Sequence, residues 1–262
     1  MTASGIHTLA TEIGRDIIHH APFTSRAGQI PDLATGYAVQ DALVDHLIER
    51  GARGAVTGYK VAANSPALMD LFNLPEPVSG RVFADQRHDS PARLRRADFN
   101  QFAFEPEIAA VLGADLPIGS TPHDRASVAK SIARFVPAFE LLDLRQVDPP
   151  RAHMPDMVAA NISNEGIVLG GPGVTADALD PAALRAEVLF DGAVAQDVTG
   201  AAPQHPLDVV AWLANHLGAR GLVLTAGMVV LCGTHTPIQR PDGMSRIELH
   251  MSGLGEVAAD LA

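Results

Sequence analysis

The sequence predicts an α+β protein, with a helical N-terminal part over residues 1–75 and a strand-rich body over residues 76–262. Apolar residues recur at helical spacing in the first fifty residues, whereas short apolar runs typical of strands dominate from residue 102 onward. Helical patterns interrupt those strands at only two places, so the chain lacks the regular alternation of a parallel α/β fold. We expect both parts to form one continuous folding unit.

Two helices are predicted before the first strand. Residues 5–19 form the first, because apolar side chains recur every three or four positions from Ile6 to Ile17. Residues 37–50 form the second, and Gly51 is a typical residue to end it. The first helix is amphipathic, and Ala42, Leu43, His46 and Leu47 lie on one side of the second.

A short buried strand, a short helix and a connection follow. The stretch "AVTGYKVAA" at 55–63 is typical of a buried strand. Asn64 or Ser65 can cap the next helix, whose first turn suits Pro66. Residues 75–101 are rich in Pro, Gly, Arg and Asp, which predicts an irregular connection.

The body is predicted to contain seven strands and two helices. Asp191-Gly192 is a typical hairpin turn between two of the strands. Helices are expected at about 125–134 and at 206–217. The predicted strands are 102–112, 135–142, 166–170, 184–190, 193–198, 228–232 and 246–250.

Composition limits the partners and the compartment. The chain has 262 residues and a formal net charge of −11, which argues against nucleic acid and anionic membrane surfaces as partners. A single cysteine, Cys232, excludes an intrachain disulfide and favours a reducing compartment. The N-terminus lacks the pattern of a signal peptide, and no apolar window approaches the ~20 residues of a membrane span. We therefore expect a cytoplasmic protein.

Two glutamates, Glu105 and Glu107, lie two residues apart within the apolar run 102–112. The period of a strand places both side chains on one face. A third, Glu140, interrupts the apolar strand 135–142, and small residues adjoin all three glutamates. Buried carboxylates must be paired or hold a metal, and three of them without a Cys or His cluster suit Mg²⁺ or Mn²⁺. The alternative is three glutamates on a solvated sheet face.

Lys60 is the second unusual residue, because it lies inside a short apolar strand. Its ammonium group either reaches the surface or is held inside for chemistry. The pKa of a lysine responds strongly to burial and to nearby charges, so Lys60 is a candidate acid or base.

Several polar residues are weaker candidates for ligand binding. The helix start at Asn64-Ser65 offers free backbone N–H groups that could bind a carboxylate, and ordinary capping is the alternative. Ser163 and Asn164 precede a strand and could be ligand donors or turn residues. Thr234 follows a strand and offers a hydroxyl group.

Seven motifs follow one another along the chain, and the resemblance that rests on them runs from about residue 23 to 258, nearly the whole chain. They are Gly58-Tyr59-Lys60, "EPVSGRVF", Glu105-Pro106-Glu107-Ile108-Ala109, "VPAFELLD", "VAANISNEGIVLGG", "HPLDVVAWLANHL" and "GMVVLCGT". In this order they resemble the 2-oxopent-4-enoate hydratase and 4-oxalocrotonate decarboxylase family of the fumarylacetoacetase-like superfamily. The resemblance implies a mixed β-roll core with a helical N-terminal part, and it implies a homo-oligomer.

The resemblance also implies the chemistry. It matches the family's metal ligands for Mg²⁺ or Mn²⁺ to Glu105, Glu107 and Glu140, and its catalytic lysine to Lys60. Asn64, Ser65, Ser163, Asn164 and Thr234 are then the candidates for binding a small 2-oxo acid. Val78 stands where hydratases of the family tend to carry Asp and where its decarboxylases tend to carry an aliphatic residue.

Three functions follow as expectations. The first is a metal-dependent hydratase of a 2-hydroxy-2,4-dienoate or 2-oxo-4-enoate in the catabolism of aromatic compounds. The second is a 2-oxo acid decarboxylase of the 4-oxalocrotonate type, which Val78 favours. The third is a protein that binds metal and 2-oxo acids without turnover, which the substitutions Ala62, Asn64, Val78 and Ala160 relative to the family pattern favour.

Overall fold

The computed structural model describes residues 1–262 and contains six α-helices and thirteen strands. The helices are α1 (Ala3–Ile18), α2 (Leu33–Glu49), α3 (Pro66–Phe72), α4 (Arg125–Ala129), α5 (Met154–Ala159) and α6 (Pro206–Gly218). The strands are β1 (Val56–Ala62), β2 (Val78–Phe83), β3 (Arg87–Asp89), β4 (Ala92–Leu94), β5 (Phe102–Leu112), β6 (Ile132–Asp143), β7 (Asn164–Leu169), β8 (Gly171–Pro172), β9 (Arg185–Phe190), β10 (Ala193–Thr199), β11 (Val229–Thr234), β12 (Arg246–Met251) and β13 (Gly255–Leu261).

Two mixed sheets form the body. The larger has seven strands in the order β2-β1-β11-β5-β6-β7-β3, and the smaller runs β10-β9-β12-β13-β4, with β8 pairing to β13. Most neighbours are antiparallel, but β1 with β11, β3 with β7 and β13 with β4 are parallel. Helices and strands do not alternate along the chain, so the α+β prediction is confirmed.

The seven-stranded sheet curls so that one of its faces becomes an enclosed interior. Val82 of β2 and Ile167 of β7 lie in the same nine-residue apolar cluster, although four strands separate them in the sheet order. The opposite face carries Phe104 and Ile108 into the 36-residue main core, together with side chains of β12, β13 and α6. Burial of this outer face fixes which side chains of each strand point into the interior.

The N-terminal helices cover one side of this curled seven-stranded sheet, which we call the roll. Asp32 caps α2 by accepting a hydrogen bond from Thr35 N. The apolar faces of α1 and α2 share a cluster with Phe83 and with Ala159 of α5. The division at residue 75 stays a prediction, and β1 of the N-terminal part lies inside the large sheet. None of the six helices combines the length and the hydrophobicity that a membrane-spanning helix needs.

Some elements differ from the expectations. The supposed irregular connection 75–101 contains β2, β3 and β4, and β2 is buried throughout because it pairs along β1. Gly80 and Arg81 interrupt the apolar residues of β2, so the sequence pattern does not predict a strand there. The helix expected at 125–134 ends at Ala129, because the chain from Ile132 onward pairs with β5. Helix α5 and strand β13 had not been predicted.

Candidate metal centre and active-site cavity

The carboxylate groups of three glutamates lie close together inside the roll. Glu105 of β5 lies directly across from Glu140 of β6, and Glu107 follows on the same face of β5. One oxygen from each of the three lies within 4.8 Å of the others. Glu107 and Glu140 are buried, whereas Glu105 is partly exposed to the cavity described below. This spacing suits three ligands of one divalent cation.

The flanking residues explain why the carboxylates point inward. Phe104 and Ile108 on alternate positions of β5 are fully buried in the main core. Because side chains alternate along a strand, Glu105 and Glu107 must point into the roll. On β6 the same alternation sends Phe139 and Leu141 to the core and Glu140 to the interior.

Each buried carboxylate has a polar partner. Gly233 N donates a hydrogen bond of 2.7 Å to Glu107 Oε2. Asn164 Nδ2 donates one of 2.9 Å to Glu140 Oε1, and Lys60 Nζ lies 2.9 Å from the same oxygen. Gly233 has a φ of +103°, and a Cβ atom there would lie 2.6 Å from Asn64 Oδ1, so only glycine fits this donor position.

One oxygen of the cluster has no partner. Glu140 Oε2 is buried and makes no hydrogen bond. A buried carboxylate oxygen without a donor is costly unless a cation binds it. The donor set of three carboxylates and this unpartnered oxygen together fit a hard divalent cation.

Burial and mutual repulsion shift the pKa values of the cluster. Burial, then the charge of Glu140, raise the pKa of Glu105 to about 8. Burial, followed by the charges of Glu140 and Glu105, raises the pKa of Glu107 well above its ordinary value. Burial alone would lower the pKa of Lys60, but Glu140 and the other carboxylates outweigh it, so that pKa is raised. Lys60 is therefore an ammonium in the metal-free protein.

The affinity for Mg²⁺ should rise between pH 6 and pH 8. The metal has to displace the proton that Glu105 keeps up to a pKa of about 8, so the affinity should change by up to about tenfold per pH unit for each displaced proton. Calorimetric titrations with Mg²⁺ in buffers of different ionisation enthalpy would count the released protons. An affinity that does not change between pH 6 and pH 8 would contradict this assignment.

The stability of the metal-free protein should fall as the pH rises, whereas the affinity for Mg²⁺ should increase. Between pH 4.5 and about 8, the folded protein keeps a proton on Glu105 that the unfolded chain has released. The contribution of Glu105 to the free energy of unfolding is therefore fully present below pH 4.5. It falls by about 1.4 kcal/mol per pH unit above that value and is lost as the pH rises through about 8. Urea unfolding in EDTA at several pH values, compared with Glu105→Gln, would isolate this contribution.

A cavity of about 490 Å³ opens from the carboxylates to the surface. Lys60 and Glu105 contribute to its wall, which is otherwise mostly apolar. Its apolar lining includes Leu71 and Phe72 of α3 and Leu142 of β6. A cavity of this size with few polar groups is typical of a site for a small organic ligand.

The structure brings together only some of the predicted site residues. Lys60, Glu105, Ser163 and Thr234 line the cavity, and Glu107 and Glu140 lie directly beside Glu105. The other three predicted residues, Asn64, Ser65 and Asn164, are not among the lining residues. Instead, Asn64 donates to the carbonyl of Cys232, Ser65 caps α3 by accepting from Leu68 N, and Asn164 holds Glu140.

A left-handed turn forms part of the wall. Asn161, Ile162 and Ser163 have φ values of 59°, 51° and 57°. This conformation is unfavourable for the β-branched Ile162. The Asn161 side chain holds the turn against β2, because it accepts from Arg81 N at 2.7 Å and donates to Arg81 O at 2.9 Å. The turn directs Ile162 and Ser163 into the cavity.

Arg240 is a lining residue that the sequence did not indicate. It follows Gln239 in a stretch, "QRPDG", that has the composition of a turn. No local sequence pattern indicates that Arg240 lines the cavity. The neighbouring Gln239 forms a backbone bridge with Phe104 of β5, which is distant in sequence, and this bridge places Arg240 there.

Comparisons with known proteins agree on one family. The model of the fumarylacetoacetate (FAA) hydrolase C-terminal family matches residues 52–262. A 2-keto-4-pentenoate hydratase from Burkholderia vietnamiensis is 32% identical over 229 residues, which cover 87% of this chain and 86% of that protein. A 2-hydroxyhexa-2,4-dienoate hydratase from Comamonas testosteroni is 32% identical over 204 residues, 76% of each chain.

A solved structure is similar over the full length. The 4-oxalocrotonate decarboxylase from Pseudomonas putida G7, complexed with calcium and acetate, superposes with a TM-score of 0.88 at 25% identity. The match covers 100% of this chain and 99% of that one. The same enzyme has also been solved in complex with magnesium and adipate.

Proposed function

Because the chain belongs to the fumarylacetoacetate hydrolase C-terminal family, we propose that it is a metal-dependent lyase that acts on a small 2-oxo acid. The observation that carries this proposal is the cluster of Glu105, Glu107 and Glu140, with Lys60 beside it, at an apolar cavity. The first candidate activity is hydration of a 2-hydroxy-2,4-dienoate or 2-oxo-4-enoate, which is the activity named for the relatives of about 30% identity.

The three glutamates are proposed to hold Mg²⁺ or Mn²⁺. Ligand sets made only of oxygen atoms favour these hard cations. A cation would also compensate the buried charge of Glu140 Oε2, which has no hydrogen-bond partner. When bound, the cation supplies a Lewis acid that stabilises negative charge developing on the keto oxygen of the substrate.

Lys60 is proposed to move the proton. Lys60 lines the cavity, and its Nζ lies 2.9 Å from Glu140 Oε1. In the metal-free protein the carboxylates raise the pKa of Lys60, so the residue is an ammonium that carries a proton. A cation held by the glutamates would offset their charge and weaken their hold on that proton, which Lys60 could then transfer to the carbon chain of a bound substrate. Ser163 and Thr234 also line the cavity and are proposed to bind polar atoms of the substrate. The Thr234 hydroxyl donates to Thr236 O at 2.7 Å, so toward a substrate it would act as an acceptor.

The apolar lining supports a reaction that develops charge. A mostly apolar wall keeps bulk water away from the carbon chain, which strengthens the interactions of Lys60 and of the carboxylates with the substrate. Helix α3 contributes Leu68, Leu71 and Phe72 to this wall, although none of its residues is buried in the protein core. A bound carbon chain would cover these side chains.

Decarboxylation of a 2-oxo acid is the second candidate, and Val78 favours it. Val78 is fully buried in an apolar cluster with Tyr37, Ala63 and Met157, so this position supplies no carboxylate for acid–base chemistry. The full-length structural match is likewise a decarboxylase. Both candidates use the same charge-stabilising site, and they differ in whether water adds to the substrate or CO₂ leaves it.

Two substrates separate the candidates. The protein with Mg²⁺ should be incubated with 2-hydroxypenta-2,4-dienoate and with 4-oxalocrotonate, with ultraviolet absorbance and released CO₂ as the readouts. Rapid loss of the first without CO₂ from the second eliminates the decarboxylase, and rapid CO₂ release eliminates the hydratase as the main activity. The absence of metal-dependent turnover, with 2-oxo acids still raising the melting temperature, would favour the binding protein without turnover. A homo-oligomer stays a prediction, which light scattering would test.

A further inference from the structure

The two oxygens of the Glu140 carboxylate have different surroundings. Oε1 lies 2.9 Å from Lys60 Nζ and accepts a hydrogen bond of 2.9 Å from Asn164 Nδ2. Oε2 is buried and has no hydrogen-bond partner. Two donors therefore hold Oε1, and Oε2 is the oxygen of this carboxylate that stays free for a cation.

The two donors to Oε1 differ in what they impose on the carboxylate. The terminal torsion of a glutamate side chain is soft, so a single contact does not fix the plane of its carboxylate. The Lys60 ammonium is a compact charge with three rotatable donors, and it imposes little direction. The amide N–H groups of Asn164 lie in a fixed plane, and a hydrogen bond weakens steeply when its angle is poor. Asn164 therefore contributes most of the direction in which the Glu140 carboxylate is held.

An irregularity in the pairing of β6 with β7 brings Asn164 to this position. The register shifts between Leu141 and Leu142, so that Leu142 pairs with Asn164 and Glu165 is passed over. Glu165 forms an ion pair of 2.5 Å with Arg53 instead of joining the carboxylate cluster. An extra residue of this kind re-aims the side chains of a strand. The cluster thus receives an amide as its neighbour on β7, where regular pairing would have offered a fourth carboxylate.

The second polar atom of the Asn164 side chain has no partner. Asn164 is 5% exposed, and its buried Oδ1 accepts no hydrogen bond from the protein. Glu140 Oε1 already lies against Lys60 Nζ and is therefore an acceptor, so the amide must present Nδ2 to it and not Oδ1. A buried amide oxygen without a donor is costly. A divalent cation held by three carboxylates keeps water on its open positions, and such a water molecule is a suitable donor.

We propose that Asn164 is a positioning residue for the divalent cation. Its Nδ2 holds Glu140 through Oε1 so that Oε2 remains free for the cation, and its Oδ1 accepts a hydrogen bond from a water molecule on the cation. This inference rests on the metal centre of the proposed function. Mg²⁺ demands near-ideal octahedral geometry, whereas Ca²⁺ accepts a flexible arrangement of oxygen ligands. A Glu140 carboxylate held in one direction therefore matters more for binding Mg²⁺ than for binding Ca²⁺, and Asn164 sets the preference between them.

Calorimetric titrations of the metal-free protein with Mg²⁺ and with Ca²⁺ test this role. Asn164→Leu removes both polar atoms at nearly the same shape, and it should weaken Mg²⁺ binding by about 10- to 100-fold, the usual effect of losing the partner of a metal ligand. Ca²⁺ binding should weaken less, so the ratio of the two affinities should fall. Asn164→Ala, which adds no bulk, should change the ratio in the same direction. Asn215→Leu is the matched control, because Asn215 exchanges hydrogen bonds of 2.7 Å and 2.9 Å with the backbone of His123, outside the cluster. It should lower the melting temperature and leave both affinities unchanged.

The outcomes separate this inference from the metal centre itself. If the wild type binds both cations and the Asn164 variants leave the affinities unchanged, or weaken Mg²⁺ and Ca²⁺ equally, the positioning role is wrong while the metal centre stands. If the wild type binds neither cation, both the inference and the proposed function are wrong. The Asn164 side chain bonds to Glu140 and not to the backbone, so both variants should fold, which circular dichroism would check.

Discussion

Glu107→Gln should abolish the binding of Mg²⁺ and reduce turnover to background, while the protein stays folded. The glutamine can still accept the hydrogen bond from Gly233 N that Glu107 accepts at 2.7 Å. Its new amide group can donate to a neighbouring carboxylate such as Glu140, which has a free oxygen. One like charge disappears from a cluster whose pKa values are raised, so the metal-free variant should be no less stable than the metal-free wild type.

Thermal unfolding with and without Mg²⁺ measures this effect. At Mg²⁺ concentrations about 100 times the dissociation constant, the wild type should gain about 2.7 kcal/mol, and the variant should gain nothing. Glu256→Gln is the matched control, since Glu256 is exposed and its replacement makes the same change of charge. Equal Mg²⁺ shifts in wild type and Glu107→Gln would disprove the metal centre and most of the proposed mechanism.

Lys60→Met should lower turnover by about 10²- to 10⁴-fold, the usual contribution of a positioned acid or base. Methionine has nearly the length and volume of lysine but cannot carry a proton. The metal ligands remain, so the variant should still be stabilised by Mg²⁺. A variant that keeps turnover within a few-fold of wild type would contradict the assignment of proton transfer to Lys60.

The same substitution should destabilise the metal-free protein. Lys60 and Glu140 form a buried ion pair, and removing one partner of such a pair typically costs about 3–5 kcal/mol. Mg²⁺ compensates the charge that Glu140 keeps, so the stabilisation by Mg²⁺ should be larger in Lys60→Met than in wild type. Lys130, the only other lysine of the chain, is exposed, and Lys130→Met is the control for both readouts.

Local sequence patterns were sufficient to predict a strand or helix where its buried residues recur at the spacing of that element. The strand predicted at 102–112 is β5, with the predicted bounds, because apolar residues on its outer face alternate with the glutamates. Residues 206–217 form α6 to within one residue for a similar reason, since one face of that helix enters the main core. The hairpin at Asp191-Gly192 is also present, with positive φ at both residues.

Local patterns failed where a polar residue is buried by a distant partner. Arg81 lies in the buried strand β2, and its guanidinium is paired with Gln40 and Asp41 of α2. The partners are about forty residues away in sequence, so Arg81 appeared to belong to an exposed connection. Asn64 and Asn164 stay predicted ligand-binding residues, and in the structure Asn64 Nδ2 donates to Cys232 O while Asn164 Nδ2 donates to Glu140 Oε1, contacts that no local pattern indicates.

By itself, the sequence determined that Glu105 and Glu107 share one face of a strand, because the period of two is a local property of the extended chain. It could not determine that Glu140 lies directly across from Glu105, or that Lys60 reaches Glu140, because strand register depends on pairing between distant segments. The position of Arg240 was likewise decided by the bridge between Gln239 and Phe104. The tertiary structure thus combined this pair of like charges with Glu140 and Lys60 in one site, beside a cavity that Arg240 also lines.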